Sequence, residues 1–543
     1  MTKTGITLDP VTGTYQWSET GLWETAPEIP LAETLIPLIR GRADRPMISF
    51  EDGVQVTNAQ MLERAARLAG WLVENVPAGR PIGVCMGNRA EFFVVFFAVL
   101  TTGHAMVNMN PASRAVDAAH MIDDSDAYLL ICDEENVETL RGLIDTCPGL
   151  TRVYQVEGPE PDGLSGLYGD IEPRELLADP PALTTPITLS YTSGTTGKPK
   201  GCVHVQGGYL RYADVNGRVY DIDENDTIFN PLQFFYGDAI WMMCVSIITG
   251  ARFASMRKFS VSRYWTAVKE TGATVMVGIG SIPNLLLKRT PGPDERDHAM
   301  RLAIQVGIPV KQHAELEERY GFPWLDAYGL SETGPNLLMP PDLADQYVGS
   351  GALGIPAPGL ETVLLDPDGN EVEGPGVGEL AVFGPYMIPG YLNKPEETAQ
   401  IRYKENFYRT GDMHQRDEKG IYYFRGRIKE IIRRGGENIA PFEVEEVLRL
   451  HPDVTESAVV PVEDELMGEE VKAYVLAKEN GVDLADLVEF ARHRLAPHKV
   501  PRYLELRTEP FPRTPSQRIK KADLMVDGRH TTDNAWDRTE TPA

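Results

Sequence analysis

The sequence of 543 residues is poor in cysteine and in long apolar runs, and both shortages exclude classes of protein. The five cysteines lack C-x-x-C spacing, so they form neither a disulfide framework nor a zinc site and are expected to be buried thiols in a reducing compartment. The most apolar run, Phe92 to Leu100, is far too short to cross a membrane. The N-terminus has no apolar stretch of signal-peptide length. The sequence therefore predicts a soluble, cytoplasmic protein.

Basic residues are also scarce, because 52 lysines and arginines face 79 aspartates and glutamates, for a formal net charge of −27. Nucleic acids and anionic membranes bind basic patches, so neither is an expected partner. An anionic nucleotide substrate would need a locally positive site on this acidic chain. The length predicts two or more domains.

Predicted strands and helices alternate along the first half of the chain. Residues 47–56 predict a hairpin, 59–76 an amphipathic helix, 82–86 a buried strand and 90–100 a buried helix. This alternation predicts an α/β domain with layered, largely parallel sheets.

Two later strands end in turns of small residues. Residues 274–278 lead to Ser281-Ile282-Pro283, where Gly280 and Ser281 are candidate substrate-pocket residues, and residues 302–306 lead into a Gly-Ile-Pro turn. Ligands bind at the ends of strands in open α/β sheets, so both turns are candidate binding segments. The residues of the second turn are Gly307, Ile308 and Pro309.

The most informative stretch, residues 190–201, reads SYTSGTTGKPKG. Glycines allow successive N–H groups to point at one anion, hydroxyls add donors, and lysines add positive charge. The stretch is not a P-loop, because Lys198 is followed by proline instead of a metal-binding hydroxyl. It predicts a polyphosphate cradle in preference to a solvated turn. The candidate residues are Thr192, Ser193, Gly194, Thr195, Thr196, Gly197, Lys198 and Lys200.

This stretch resembles the signature loop of the AMP-forming acyl-adenylating enzymes, which include acyl-CoA synthetases, luciferases and peptide-synthetase adenylation domains. Residues 328–334, YGLSETG, resemble the second signature of that family. The resemblance implies that Glu332 holds Mg²⁺ on ATP, and a hard cation with one carboxylate and phosphate oxygens is chemically sensible. It also implies nucleotide contacts for Tyr328, Gly329 and Thr333. The competing interpretation is a helix with Ser331 as its N-cap.

A third match is YRTGD at residues 408–412. By resemblance, Asp412 accepts hydrogen bonds from the ribose hydroxyls and Arg427 is a second nucleotide contact. The same resemblance places a hinge at Lys429 and a thiol channel at Arg433, Gly435 and Gly436. Paired glycines suit a pantetheine arm that passes close to the backbone.

The resemblance implies a fold and a division into domains. We expect a large N-terminal α/β domain, residues 1–427 with its core at 30–426, made of layered mixed and parallel sheets with helices and a small β-subdomain. A small, mobile α+β lid follows at 428–526. The polar tail, 527–543, is expected to be disordered.

The chain departs from the family pattern near its end. The family has a lysine that reaches the carboxylate and the α-phosphate during adenylation, and by register Arg518 stands in its place. Arginine keeps the charge and can clamp a phosphate bidentately, but its planar head differs from an ammonium. Lys520 or Lys521 could substitute if the loop shifted register. We take Arg518 as the catalytic cation, together with Thr192, Lys200 and Glu332.

The predicted acyl pocket also departs from the pattern, since Phe234 and Phe235 stand where many family members have an aromatic–histidine pair. Asp238 lies in an apolar run that includes Trp241, and a carboxylate there is costly unless it is paired or exposed. It could bind a substrate ammonium, or it could face a structural arginine or solvent. The C-terminal motif spacing is most similar to carnitine and crotonobetaine CoA ligases, which implies a small cationic acid.

The resemblance implies an ATP-dependent, AMP-forming acid–CoA ligase that uses ATP, Mg²⁺ and coenzyme A and proceeds through an acyl-adenylate. Two alternatives stay open. One is a stand-alone adenylation enzyme that loads a carrier protein or forms an amide. The other is a non-catalytic nucleotide-binding regulator, which the absent lysine suggests. The acid and the oligomeric state stay open, with a homodimer as the commonest case.

Overall fold

A computed structural model describes residues 6–9, 11–17, 29–157, 171–192, 199–280, 282–385, 387–404, 406–435, 437–478, 481–513, 519–526 and 529–539. Several predicted site residues lie outside the described residues. They are Ser193, Gly194, Thr195, Thr196, Gly197, Lys198, Ser281, Gly436 and Arg518.

Helices occur throughout the described part of the chain. They are α1 Leu31–Arg40, α2 Asn58–Asn75, α3 Ala90–Thr102, α4 Ala115–Ser125, α5 Glu134–Arg141, α6 Gln206–Val219, α7 Asp238–Thr249, α8 Tyr264–Thr271, α9 Ile282–Leu287, α10 His313–Tyr320, α11 Pro341–Tyr347, α12 Pro395–Gln400, α13 Pro441–Arg449 and α14 Leu484–Arg492.

Strands alternate with these helices in the first half and predominate afterwards. They are β1 Ile6–Leu8, β2 Tyr15–Trp17, β3 Pro46–Phe50, β4 Gln55–Thr57, β5 Ile82–Cys85, β6 Met106–Asn108, β7 Leu129–Cys132, β8 Arg152–Gln155, β9 Pro186–Thr192, β10 Lys200–Val205, β11 Thr227–Asn230, β12 Arg252–Ser255, β13 Val275–Ile279, β14 Leu302–Val306, β15 Trp324–Leu330, β16 Gly334–Leu338, β17 Ala352–Pro356, β18 Glu361–Leu365, β19 Gly376–Phe383, β20 Arg402–Tyr403, β21 Phe407–Arg416, β22 Tyr422–Arg427, β23 Ile432–Arg434, β24 Glu437–Ile439, β25 Val454–Asp464, β26 Gly468–Ala477, β27 Tyr503–Arg507 and β28 Trp536–Asp537.

The chain divides into two compact units, Met1–Thr362 with Val382–Tyr408, and Val363–Ala381 with Arg409–Ala543. The predicted domain boundary at residue 427 stays a prediction, and the strands expected for the small β-subdomain fall largely in the second unit.

The first unit contains two layered sheets. In one, the strand order is β10-β9-β6-β5-β7-β8, with all neighbours parallel except β9 and β10. In the other, β15, β14, β13, β11, β12 and β3 follow one another in parallel, and the antiparallel strands β16 and β4 flank them. The predicted α/β class with largely parallel sheets is confirmed.

Helix α3 shows why the sequence folds into layers. Eleven of its residues are buried, because it is apolar on all sides. Phe93 meets Phe253 of β12 with ring centroids 5.6 Å apart, and Phe96 meets Tyr209 of α6 at 6.2 Å. A helix that is hydrophobic all round must be covered on every side, so α3 fixes the layers that surround it.

Helix α2 has the amphipathic pattern that the sequence predicts. Thr57 caps it, accepting a hydrogen bond from the Gln60 backbone N–H while the Gln60 side chain accepts one from the Thr57 N–H. This capping box satisfies two backbone donors that the first helical turn leaves free. The buried face includes Met61, Ala65 and Leu68.

In the second unit, strands β18, β19, β21 and β22 are hydrogen-bonded neighbours in that order. A separate sheet has the order β24-β23-β26-β27-β28, and β25 also pairs with β26. Helices α13 and α14 pack on the latter sheet around Val444, Leu448 and Leu487. This α+β arrangement agrees with the small C-terminal domain expected from the sequence.

The prediction of a disordered tail is wrong for residues 529–539. Strand β28 pairs with β27, and Asp537 accepts hydrogen bonds from the Arg502 guanidinium at 3.0 and 3.1 Å. The buried Lys472 ammonium donates to the Thr531 carbonyl at 2.6 Å. The polar composition did not predict this order, because ion pairs and strand pairing hold the tail. Trp536 adds an apolar contact with the core.

Among the described residues, no helix combines the length and the apolar character needed to cross a bilayer. All five cysteines are free and buried, as the sequence predicts.

Candidate functional site

The phosphate-loop candidate is held at both ends by an antiparallel hairpin. Strands β9 and β10 pair so that Thr192 lies opposite Lys200, on either side of residues 193–198. The carbonyl of Pro199 lies 2.9 Å from Nε2 of His120. Thr192 and Lys200 therefore stand next to each other at the base of the loop, and both keep part of their surface exposed.

Glu332 lies in the tight turn between β15 and β16. These strands are antiparallel, with Leu330 opposite Gly334, so the alternative in which Ser331 begins a helix is wrong. The Ile388 N–H donates to the Glu332 backbone carbonyl at 2.9 Å, which ties the turn to a distant segment. The turn thus presents the carboxylate from the ends of a rigid pair of strands.

Tyr391 connects three elements of this site. Its hydroxyl donates to Oε1 of Glu332 at 2.8 Å and lies 2.8 Å from the hydroxyl of Tyr408. Because Tyr391 has one hydroxyl proton, Tyr408 must donate to Tyr391. The Lys200 ammonium lies 5.0 Å from the centroid of the Tyr391 ring, within cation–π distance. Tyr391 therefore links the loop lysine to the predicted metal ligand.

Burial raises the pKa of Tyr391 and of Tyr408 well above the usual phenol range, and the Glu332 carboxylate adds to the rise. Both hydroxyls therefore stay protonated and serve as hydrogen-bond donors. Burial, with a smaller contribution from the same carboxylate, raises the pKa of the Cys202 thiol well above its usual range, so the thiol is neutral.

Asp326 holds the Gly-Ile-Pro turn that the sequence marked as a binding segment. Its carboxylate accepts from the N–H groups of Gly307 at 3.1 Å and Ile308 at 3.3 Å, and from that of Ala327 at 2.9 Å. Burial raises the pKa of Asp326 to about 7, although these three hydrogen bonds oppose the shift. Gly307 has φ +85, with open space where a side chain would be.

The other nucleotide candidates of the first unit follow Asp326 closely in sequence. Tyr328 and Gly329 lie on β15, two and three residues after Asp326. Thr333, in contrast, is fully buried, and its hydroxyl accepts a hydrogen bond from the Asn336 amide at 2.8 Å. That geometry supports a role for Thr333 in shaping the turn.

In the second unit, Asp412 and Arg427 are direct partners on the neighbouring strands β21 and β22. The Arg427 Nε lies 3.3 Å from an Asp412 oxygen, and Asp412 is only 3% exposed. The structure thus brings these two predicted nucleotide contacts together, as cross-strand neighbours in an antiparallel sheet.

The predicted hinge and thiol-channel residues lie just after this pair. Lys429 is in a single helical turn, Ile428–Glu430. Arg433 is exposed on β23, and its N–H donates to Glu469 at 2.6 Å. Gly435 has φ +57 in the following turn, a conformation that glycine adopts without strain.

The described residues just before position 514 and just after position 518 pair with each other. Arg513 and Ile519 form an isolated bridge, and the Lys520 N–H donates to the Pro512 carbonyl at 2.7 Å. Lys521 forms ion pairs with Glu430 at 2.7 Å and Glu445 at 2.8 Å, and Lys520 pairs with Asp523 at 3.1 Å. Both lysines that could replace Arg518 therefore have carboxylate partners, and the role of Arg518 stays a prediction.

The structure places the two predicted pocket phenylalanines in different surroundings. Phe234 is completely buried in the core, with its ring centroid 5.1 Å from that of Phe93. Phe235 keeps exposed surface and packs on Tyr236 at 4.1 Å. The prediction that both rings line the pocket is therefore wrong for Phe234, whose fully apolar side chain is drawn into the aromatic core.

Asn88 fixes the turn that carries these rings. The Phe234 N–H donates to its amide oxygen at 2.9 Å, and its amide nitrogen donates to the carbonyls of Leu232 at 2.9 Å and Met256 at 2.7 Å. Asn88 is 3% exposed, so these bonds replace the water that its amide loses on folding.

Asp238 is the first residue of α7 and is partly exposed. Within the described residues, no hydrogen-bond donor or cation of another side chain pairs with its carboxylate, so the predicted alternative of a structural arginine partner finds no support. Burial raises the pKa of Asp238 to about 6. Gly280, another described pocket candidate, has φ +67, and its carbonyl accepts a hydrogen bond from the Gln305 amide at 3.3 Å.

Residues 39–392 match the profile of the AMP-binding enzyme family. The chain belongs to this family. Residues 443–518, which begin within α13 and lie inside the predicted lid, match the C-terminal domain of AMP-binding enzymes.

Similar proteins extend over nearly the whole length of this AMP-binding enzyme. A sulfoacetate–CoA ligase of Cupriavidus necator is 27% identical over 92% of this chain and 99% of its own length. A crotonobetaine/carnitine–CoA ligase of Citrobacter koseri is also 27% identical, over 87% of this chain and 93% of its own. The structure of o-succinylbenzoate CoA synthetase from Bacillus subtilis with its acyl-adenylate intermediate covers 93% of this chain and 100% of that chain, with a TM-score of 0.80 and 25% identity.

The chemistry of the Glu332 site suits a magnesium ion on ATP. The Tyr391 hydroxyl donates to one oxygen of the Glu332 carboxylate. The carboxylate keeps further lone pairs that can bind a hard cation. The described residues contain no cluster of three histidine, cysteine or acidic side chains that could enclose a metal alone. A single carboxylate with phosphate oxygens is the arrangement that Mg²⁺ commonly takes at nucleotide sites.

Sequence reasoning missed Tyr391, Asp326 and Asn88. Tyr391 is 59 positions away from Glu332, so no local pattern could connect them. Asp326 carried a usable signal, since a charged residue inside the apolar run of β15 requires hydrogen bonds when it is buried.

We expect Tyr391→Phe to raise the Mg²⁺ concentration needed for half-maximal adenylation about tenfold. The change removes the hydrogen bond that orients Glu332 while keeping the ring beside Lys200, and a hydrogen bond to a charged group contributes roughly 1.5–3 kcal/mol. Mn²⁺ binding in the presence of ATP, followed by electron paramagnetic resonance, measures the effect without turnover. Unchanged Mn²⁺ affinity would contradict the assigned role, and Tyr347→Phe is a matched control outside the network.

We expect Asp238→Asn to stabilise the protein at pH 8, by at most about 3 kcal/mol, the equivalent of a pKa raised from 3.8 to about 6. The folded state binds the Asp238 proton more tightly than the unfolded chain, so wild-type stability falls as pH rises through this window. The gain in unfolding free energy of the variant is therefore complete above pH 6 and absent below pH 3.8. Urea unfolding at pH 8 and pH 4 measures the difference in unfolding free energy between the variant and the wild type. An equal difference at both pH values would show that the charge of Asp238 does not destabilise the folded protein.

Proposed function

We propose that this protein is an ATP-dependent, AMP-forming acid–CoA ligase that makes an acyl-CoA thioester through an acyl-adenylate. The observation that supports this most directly is the connection of Glu332, Tyr391 and Lys200 at the base of the phosphate loop. The ligases among its relatives, which include the sulfoacetate and crotonobetaine/carnitine enzymes, agree with the proposal.

In the first half-reaction, the acid carboxylate attacks the α-phosphorus of ATP and pyrophosphate leaves. Lys200 and Arg518 neutralise phosphate charge, and Thr192 donates a hydrogen bond, so that catalysis is mainly positioning and electrostatic stabilisation. Glu332 would hold Mg²⁺, which when bound neutralises charge on the phosphate oxygens. Gly307, Ile308, Pro309, Tyr328 and Gly329 would contact the nucleotide, and Asp412 with Arg427 would bind its ribose.

In the second half-reaction, the thiol of coenzyme A attacks the acyl carbon of the adenylate, and AMP leaves. We assign Lys429 as the hinge of a lid, residues 428–526, that rotates between the two steps, and Arg433, Gly435 and Gly436 as the lining of the thiol channel. Rotation of a domain about a few hinge residues is a common way to bring a different set of residues into one active site. A cytoplasmic location and a homodimer complete the proposal.

A panel of carboxylic acids with ATP, Mg²⁺ and coenzyme A tests this function by acid-dependent AMP release. We expect AMP and an acyl-CoA to form together in equal amounts. AMP formation only with a phosphopantetheinylated carrier protein would establish the carrier-loading alternative. The absence of acid-dependent ATP–pyrophosphate exchange across the panel would favour a non-catalytic regulator.

A further inference from the structure

The C-terminal tail, residues 529–539, is joined to the core of the second unit, although it lies beyond residues 443–518, which match the C-terminal family domain. Its strand β28 pairs with β27, and the Arg538 N–H donates to the Arg502 carbonyl at 3.0 Å. The Trp536 side chain packs against the apolar core of the same sheet. The tail is therefore an ordered part of this chain that the match to the family domain does not cover.

Asp537 anchors the tail to Arg502. Its Oδ2 accepts from Nε of Arg502 at 3.1 Å and lies 3.0 Å from Nη2 of the same guanidinium. Its Oδ1 accepts from the N–H and the hydroxyl of Thr539 at 2.8 and 2.7 Å. Burial alone would raise the pKa of Asp537, but the hydrogen bonds from Arg502 and Thr539 hold this pKa below its usual range. The carboxylate is therefore charged, with partners on both of its oxygens.

Arg502 connects the tail to the turn between β25 and β26. Its Nη1 donates to Oδ2 of Asp464, the last residue of β25, at 3.0 Å. The other oxygen of Asp464 accepts from the N–H groups of Leu466 at 3.0 Å and Met467 at 2.8 Å, and these bonds shape the turn. A guanidinium presents its donors in a rigid plane, so Arg502 holds Asp537 and Asp464 in a fixed relation to each other.

The turn at residues 464–467 has little apolar packing of its own. Leu466 is 88% exposed, and Glu465 beside it is also exposed. Segments with few buried apolar contacts open at a low cost in free energy. The hydrogen bonds and the ion pair of Asp464 therefore contribute more to the position of this turn than burial does.

The same turn holds Gly435, which the proposed function places in the thiol channel. The Met467 carbonyl accepts from the Gly435 N–H at 2.8 Å, and Arg434 is the pairing partner of Gly468 between β23 and β26. The terminal carbon of Met467 lies 2.5 Å from the position that a side-chain carbon on Gly435 would take, so Met467 covers one side of the glycine. The backbone at Gly435 thus depends on the position of the turn at residues 464–467.

From these contacts we propose that the C-terminal tail is a positioning element for the attack of the coenzyme A thiol. Asp537 acts through Arg502 and Asp464 and holds the turn that fixes Gly435 beside the path of the thiol. The inference rests on the proposed function, which assigns Gly435 to the thiol channel. Asp537 contacts no substrate and is a positioning residue. Its network contains none of the residues assigned to adenylation, so its effect is confined to the second half-reaction.

The variant Asp537→Asn tests the proposal, because it removes the charge of this carboxylate and keeps its shape. With the acid of the panel that gives the fastest AMP release, we expect kcat/KM for coenzyme A to fall about tenfold, the typical effect of weakening a hydrogen bond between charged groups. Acid-dependent ATP–pyrophosphate exchange should stay within about twofold of the wild-type rate, since independent sites do not couple. Asp533→Asn changes an exposed aspartate of the same tail and should change neither rate.

Hydrogen exchange followed by mass spectrometry measures the connection without turnover. In Asp537→Asn, the amides of the peptides that contain Gly435 and Met467 should exchange about tenfold faster, because the turn that protects them opens more often. The peptides of α2, in the first unit, should exchange at the wild-type rate, and so should all peptides of Asp533→Asn.

An unchanged kcat/KM for coenzyme A in Asp537→Asn would overturn the inference and leave the ligase function intact. An equal loss in both half-reactions, with faster exchange in α2 as well, would also overturn it, because the tail would then only stabilise the fold. If no acid supports AMP release, the proposed function fails, and hydrogen exchange alone decides the role of the tail. In that case faster exchange confined to the Gly435 and Met467 peptides supports the connection, and unchanged exchange overturns it.

Discussion

Glu332→Gln should lower the rate of acid-dependent ATP–pyrophosphate exchange by about 10²- to 10³-fold, the usual loss when one charge-stabilising group is removed from a transition state. The amide of glutamine can still accept the Tyr391 hydroxyl at the 2.8 Å position, so the turn between β15 and β16 keeps its support. What is lost is the negative charge that a hard cation needs. The rate should not recover at saturating ATP.

The decisive control for this prediction separates charge from folding. Glu317→Gln changes a glutamate of α10, outside the phosphate site, and should retain normal exchange. Thermal unfolding of Glu332→Gln should match the wild type within about 1 kcal/mol, because a similar side chain keeps the same hydrogen bond. If Glu332→Gln exchanged pyrophosphate at the wild-type rate, Glu332 would not be the metal ligand.

The layered core could be predicted from the sequence because its signals are local. Burial can be recognised within a short stretch of sequence in three elements. They are α3 with its apolar run, α2 with its periodicity and capping residues, and the strand at residues 302–306. The tail was misjudged for the opposite reason. Its order depends on Lys472 of β26 and on Arg502, which immediately precedes β27, and neither residue gives a signal in the tail itself.

The same distinction between local sequence signals and contacts with distant residues applies to the site. Thr192, Lys200 and Glu332 were predicted from short motifs, and the structure shows how β9, β10 and the β15–β16 turn support them. Tyr391 was missed because hydrogen bonding across 59 residues is set by tertiary structure. Phe234 was misplaced because composition alone does not say whether an aromatic ring faces the core or a pocket. The structure decides this by surrounding it with other phenylalanines.

The second large effect is expected from Gly329→Ala. A methyl group on Gly329 would lie 2.4 Å from the backbone oxygen of Gly334, across the turn that carries Glu332. Because the obstructing atom is backbone, the turn itself must move, at a cost of roughly 1–3 kcal/mol. We expect a lower melting temperature and a loss of pyrophosphate exchange larger than the stability loss explains, because a displaced carboxylate cannot keep its geometry at the reacting phosphates.

Gly53→Ala is the matched control for this change. Gly53 has φ +83 in the hairpin between β3 and β4, and a side chain there would meet open space. Alanine at Gly53 therefore introduces backbone strain of about 1 kcal/mol without a collision, far from the Glu332 turn in sequence. Its exchange activity should stay near that of the wild type. Equal activity of the two variants would show that the turn at Gly329 tolerates displacement, and the close approach of β15 and β16 would then not be needed to position Glu332.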